Sequence, residues 1–143
     1  MLKFILLTQF ASTLFMVGLI WFVQIVHYPL FAGVGADQFS QYEQQHQQLT
    51  TYVVMPVMLL ELATAIALIP YSPSGLKVLP WIGFSLLLAI WVSTWALQVP
   101  AHDALASGFS HEHHQRLVLT NWVRTFAWTG RGAILFLLVF RRL

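Results

Sequence analysis

The sequence predicts an all-α protein: a four-helix, up-down transmembrane bundle whose helices extend beyond the membrane on the outer side. Three observations carry that expectation. Hydrophobic residues make up 58% of the 143-residue chain and charged residues only 8%, where a soluble domain has about a quarter charged. Four stretches approach or exceed the roughly 20 mainly apolar residues that a helix needs to cross a bilayer. Polar residues inside those stretches recur at helical spacing. The length suits one integral membrane domain, residues 1–143.

The first stretch runs from Phe4 to about Val26. Lys3 before an apolar run resembles a signal peptide, but the run exceeds the roughly 7–15 residues of a signal core. No small-residue cleavage site follows promptly, so this segment is expected to be retained as the first helix. The second span covers about Val53 to Ile69. Upstream of it, "ADQFSQYEQQHQQLTTYVVMP" reads as an amphipathic extension with Asp37 as N-cap and Phe39, Tyr42 and His46 on one side. Pro56 is expected to kink this helix or to be absorbed by a local backbone adjustment. The prolines and glycine of "PYSPSGLKVLP" then mark a short loop. The third span covers Trp81 to Val99, with "AHDALASGF" extending it or forming a short helix before Gly108. Ser110 would cap the fourth, whose apolar part runs from about Leu117 to Phe140.

Charges predict the orientation. Lys3, Lys77, Arg141 and Arg142 fall at one end with no acid, whereas Asp37, Glu43, Asp103 and Glu112 share the other with Arg116. The positive-inside rule therefore puts both termini in the cytoplasm, and in a bacterial inner membrane the other end would be periplasmic. The basic residues are too few and scattered for nucleic acid. The absence of cysteine excludes disulfides, thiolate catalysis and iron–sulfur clusters. Any metal must be held by His, Glu, Asp or backbone oxygen.

Threaded through this topology, all six histidines gather at the outer mouth, and every helix contributes. His27 and His102 each precede their turn by about six residues, roughly 9 Å of helix; His46 follows its turn by about as much, and His114 by somewhat less. Polar stripes suggest which faces point inward: Gln9, Thr13, Gln24 and His27 on the first helix, Gln98 and His102 on the third. On the fourth, His114, Asn121, Arg124, Trp128 and Arg131 share a face. His27, His46, His102 and His114 form the candidate ligand set for iron, copper, zinc or haem, since neutral imidazole suits all of these and bundle cores can build such sites. The plainer alternative is that these imidazoles are interfacial, bonded to water and to Gln98 or Tyr42. His111 and His113 read as solvated residues at a helix start, and "HEHH" lacks the spacing of zinc proteases.

Deeper in the membrane, Glu61 and Arg131 stand at matching depth and are expected to form an intramembrane ion pair, serving either to lock two helices together or to move protons. Arg124, one turn from Asn121, would with it hold an anionic or quinone-like oxygen, or would instead pair with Asp103 or Glu112. Trp91, Trp95, Trp122 and Trp128 would line a cleft for a flat ligand, or serve as packing and interfacial anchors.

Two segments, "QVPAHDAL" (Gln98–Leu105) and "TNWVRTFAW" (Thr120–Trp128), resemble the VP-x-x-x-x-L and N-x-x-R-T segments of the anthrone-oxygenase-like small membrane proteins. "HYPLF" and "VVMPVMLLE" sit where that family often carries proline-bearing segments, and the four-helix layout is similar. The matching positions are Pro100, Leu105, Asn121, Arg124 and Thr125. For fungal members the resemblance implies oxidation of a polycyclic phenolic anthrone to a quinone. His27, His46 and His102 depart from the family's general pattern, which puts its substrate and any cofactor-free mechanism in question for this chain.

Two functions from different classes follow. In the first, the protein is a membrane oxidoreductase acting on a lipophilic aromatic or quinone-like substrate. The histidines would hold a metal or haem or act as bases, while Asn121 and Arg124 stabilise oxyanion character on the catalytic side. In the second, it is a non-catalytic accessory subunit or assembly factor, meeting a membrane-complex partner or a second copy of itself. A transporter has no support, because no inverted repeat or pair of broken helices is visible.

Overall fold

The computed structural model describes residues 2–71 and 78–142. These residues form four helical rods and no strand: α1 (Leu2–Gly33), α2 (Ala36–Tyr71) and α3 (Val78–Ala106), then α4 (His111–Arg142). The loop expected between the second and third spans falls mostly on residues 72–77 and, with Lys77, lies outside the described residues. All four rods are long and apolar enough to cross a membrane, so this is a multi-pass membrane protein. Sequential helices are neighbours and α4 also packs along α1, which closes a four-membered ring.

The helices are longer than their apolar cores. The polar extension of α2 is helical from Ala36, so Asp37 lies inside the first turn and not at the cap; Gly35 precedes the helix. A carboxylate there still faces the positive end of the helix dipole. Ser110 does cap α4, its Oγ accepting from the His113 amide at 3.4 Å. Gly108, at φ 144°, supplies the turn between α3 and α4 in a conformation that a side chain would disfavour. Pro56 is carried inside an uninterrupted α2.

Two other prolines do reshape their helices. Pro29 and Pro100 lack an amide hydrogen, and each ring crowds the carbonyl four residues back. In both cases the helix widens just before the proline, over Val23–His27 and Thr94–Gln98. The wide turn closes with the Tyr28 amide on the Val23 carbonyl and the Val99 amide on the Thr94 carbonyl. Wide turns of this kind recur at functional sites because they re-aim side chains. Here both stand at the same end of the bundle.

The interior is unusually polar. Gln9, Thr13, Gln24, Glu43, Glu61, Gln98, Asn121, Arg124, Thr125 and Arg131 are buried, while Phe4, Phe22, Trp95, Phe126 and Phe140 face outward. That distribution suits a lipid solvent, in which apolar burial does not drive helix association and interhelical polar contacts and close packing do. Gly132 allows close approach of α4 to α1: a Cβ there would stand 3.3 Å from a Val17 methyl.

Candidate functional site

The end of the bundle opposite both termini holds a chain of polar side chains drawn from every helix. Glu43 on α2 is fully buried, and its Oε1 lies 2.5 Å from His102 Nδ1 on α3. A carboxylate in this pair accepts, so Nδ1 carries a proton, and in the neutral imidazole Nε2 is then the acceptor. The Tyr28 hydroxyl of α1 stands 2.9 Å from Nε2 and donates to it in that tautomer. The Tyr28 oxygen in turn accepts from Arg124 Nη2 of α4 at 3.2 Å. Guanidinium, phenol, imidazole and carboxylate thus form one directional series, with every donor pointing toward Glu43. Phe31 and Phe39, both fully buried, wall it.

Arg124 is the most heavily bonded group. Asn121 Oδ1 accepts from its Nε at 2.9 Å and from Nη2 at 2.5 Å. Gln98 Oε1 accepts from Nη2 at 3.1 Å, while Nη1 makes a single long contact, 3.4 Å to Thr94 Oγ1. Asn121 is aimed by its own amide, which donates to Gln24 Oε1 at 2.9 Å. Gln24 lies in the first wide turn with His27, and Gln98 in the second with Thr94. The turn before Pro100 thus carries two acceptors of the guanidinium, Gln98 and Thr94, and the turn before Pro29 carries Gln24, which aims Asn121. Among the described residues Arg124 has no carboxylate partner, neither Asp103 nor Glu112. It is a buried cation surrounded by neutral oxygens.

Beside this cation lies a cavity of about 450 Å³ between α1 and α2. Its polar end is built by Arg124, Tyr28, His27 and His46, its wall on α4 by Trp128, and its flanks by apolar residues such as Met16, Ile20 and Val54. Phe22, Leu49 and Val53 line it yet remain exposed, so the cleft opens sideways to lipid. Its volume lies within the usual range of small-molecule sites.

The candidate ligand set is distributed unevenly. His27 Nε2 and His46 Nδ1 share a hydrogen bond at 3.0 Å, with Thr50 Oγ1 3.1 Å from the same His46 nitrogen. The His46 and His102 rings stand 5.2 Å apart. His114 turns instead to the Tyr28 carbonyl, to which its Nε2 donates at 2.7 Å. Three imidazoles therefore gather and the fourth props the α1 backbone. Among the described residues no group of three or more His, Asp or Glu is arranged to hold a metal ion.

A second polar centre lies deeper. Arg131 Nη2 meets Glu61 Oε1 at 3.3 Å, and Nη1 donates to the Gly83 carbonyl at 2.6 Å. The Thr13 hydroxyl also donates to Glu61 Oε1, and the Trp128 indole donates to Oε2 at 2.9 Å. Trp128 thus touches the cleft with its ring and the deep carboxylate with its nitrogen. The other expected tryptophans do not line the cleft. Trp95 faces outward, Trp122 stacks on Phe126, and Trp91 packs against the core.

Tyr28 and Glu43 were not among the residues that sequence reasoning selected. Glu43 was readable, being four residues from Phe39 and three from His46 on the inward side of α2. Tyr28 was readable too, four residues after the inward-facing Gln24 and buried like it. No family model, no curated protein and no solved structure matches this chain.

Proposed function

We propose that the protein is a membrane-embedded oxidoreductase that admits a lipophilic aromatic or quinone-like molecule from the bilayer into the α1–α2 cleft. There the guanidinium of Arg124 would receive an oxygen of that molecule. One observation carries this reading: a buried cation with no carboxylate partner among the described residues stands at the polar end of an apolar cleft that opens to lipid. An isolated charge at membrane depth is costly, and such groups mark ligand or proton pathways. Its neutral partners fix its geometry without neutralising it, so the positive field remains for an electron-rich oxygen. Asn121 acts on that oxygen only through Arg124, because it does not line the cleft.

The resemblance of the "QVPAHDAL" and "TNWVRTFAW" segments to the anthrone-oxygenase-like proteins supports the same substrate class. Its matched residues Asn121 and Arg124 are the ones that meet here. In the orientation the charges favour, both termini are cytoplasmic and the cleft's polar end lies near the periplasmic side of a bacterial inner membrane.

Titrating detergent-purified protein with the naphthoquinone menadione, and following tryptophan fluorescence, tests the reading. Saturable quenching is expected, and it should be lost in Val53→Trp, which fills the cleft from its lipid-facing lip without touching the polar network. Undiminished binding in that variant would place the ligand elsewhere. No saturable binding by the wild type, with a stoichiometric protein partner co-purifying, would replace this reading with the accessory-subunit one.

A further inference from the structure

We infer that Tyr28, His102 and Glu43 form a proton relay that serves the cleft: it removes the hydroxyl proton of a phenolic or hydroquinone ligand held at Arg124 and carries it toward the outer face. The inference rests on the proposed cleft function and specifies its ligand as a hydroxylated aromatic bound as the anion.

The geometry is directional. Tyr28 lines the cleft, whereas His102 and Glu43 stand behind it. The phenol already accepts from Arg124 and donates to His102 Nε2, and His102 Nδ1 already faces a carboxylate. A phenolic oxygen has capacity for a second donor, so a ligand hydroxyl can bond to it from the cleft. As the ligand O–H bond breaks, its proton passes to the Tyr28 oxygen, while the Tyr28 O–H bond breaks and its own proton goes to His102 Nε2. The ligand is left an anion beside the Arg124 guanidinium. His102 becomes a cation beside the Glu43 carboxylate. Tyr28 ends as it began, and charge is conserved.

Each new charge forms next to a fixed opposite one, which is what lowers the free energy of such a transfer in a dry site. The charged and titratable groups around the relay come from all four helices. His27 and Tyr28 belong to α1, Glu43 and His46 to α2, His102 to α3, and Arg124 and His114 to α4. Among the described residues Glu43 Oε2 has no hydrogen-bond partner, so the carboxylate keeps a site for a further proton. His102 is slightly exposed, which gives the relay its outer end.

The test reads the ligand's protonation directly. The probe is 1-naphthol, whose ionised form absorbs at longer wavelength, titrated with pH on detergent-purified protein and in detergent alone. Bound to the wild type, it should ionise at least one pH unit lower than in detergent, about a tenfold change in its acid equilibrium. Glu43→Gln and His102→Gln should bind naphthol with near-normal affinity yet lose most of that shift, and Glu43→Asp should recover part of it. Tyr28→Phe, which leaves Arg124 bonded to Asn121 and Gln98, should lose it as well. If these variants bind the probe and ionise it as the wild type does, the relay is wrong while the cleft stands. If the wild type binds no naphthol and no menadione, the cleft reading itself fails.

Discussion

The Tyr28 hydroxyl bonds His102 Nε2 across 2.9 Å, joining α1 to α3 at the level of the two prolines that widen those helices. This contact links the guanidinium side of the site to the carboxylate side, so its loss separates them. In Tyr28→Phe the buried His102 nitrogen loses its donor and Arg124 loses one of its acceptors. The expected cost is about 1–3 kcal/mol of unfolding free energy, measurable by chemical denaturation in detergent. A variant as stable as the wild type would mean that the bond contributes nothing net.

Glu61→Gln should be strongly destabilising, by about 3 kcal/mol or more, because it leaves the Arg131 guanidinium buried without its counter-charge. The double variant Glu61→Gln with Arg131→Met removes both charges. It should lose markedly less than the sum of the two single changes, the signature of coupled partners. Thermal unfolding of the four proteins in the same detergent gives the cycle, and simple additivity would show that the 3.3 Å contact is not a coupled pair.

Trp128 is the tryptophan that lines the cleft, out of six in the chain. Trp128→Phe should therefore lose most of the fluorescence quenching that menadione produces, while retaining a flat ring against the ligand. It should also destabilise the protein by about 1–2 kcal/mol, since the indole no longer donates to Glu61. Full quenching in this variant would put the quinone beside another tryptophan.

The chain has no cysteine, so single cysteines report sidedness cleanly. In intact bacterial cells, Asp37→Cys should react with a membrane-impermeant maleimide and Lys3→Cys should react only after lysis. The reverse pattern would turn the bundle over and place the relay's outlet in the cytoplasm.

Fold class was determined by the sequence itself, because span length and apolar content do not depend on partners. Four runs of the right length admit few arrangements other than a bundle of membrane helices. The inward stripes were legible for the same reason: Gln9, Thr13, Gln24, Asn121, Arg124 and Arg131 recur at helical spacing and are buried, since lipid excludes polar groups at that depth. The matching depths of Glu61 and Arg131 also preceded their contact at 3.3 Å.

What only the tertiary structure decided is which polar groups bond to which. Helical spacing placed Gln24 and Gln98 on inward faces, but it could not show that both would fall in wide turns before Pro29 and Pro100, or that Gln98 would accept from Arg124. Arg124 had charged candidates in Asp103 and Glu112, yet it is held by Asn121, Gln98 and Tyr28. His102 found Glu43, a residue that on sequence counted only as outer charge. Spacing along one helix sets which face a side chain occupies. The distance between helices, fixed by packing and by two prolines, sets its partner.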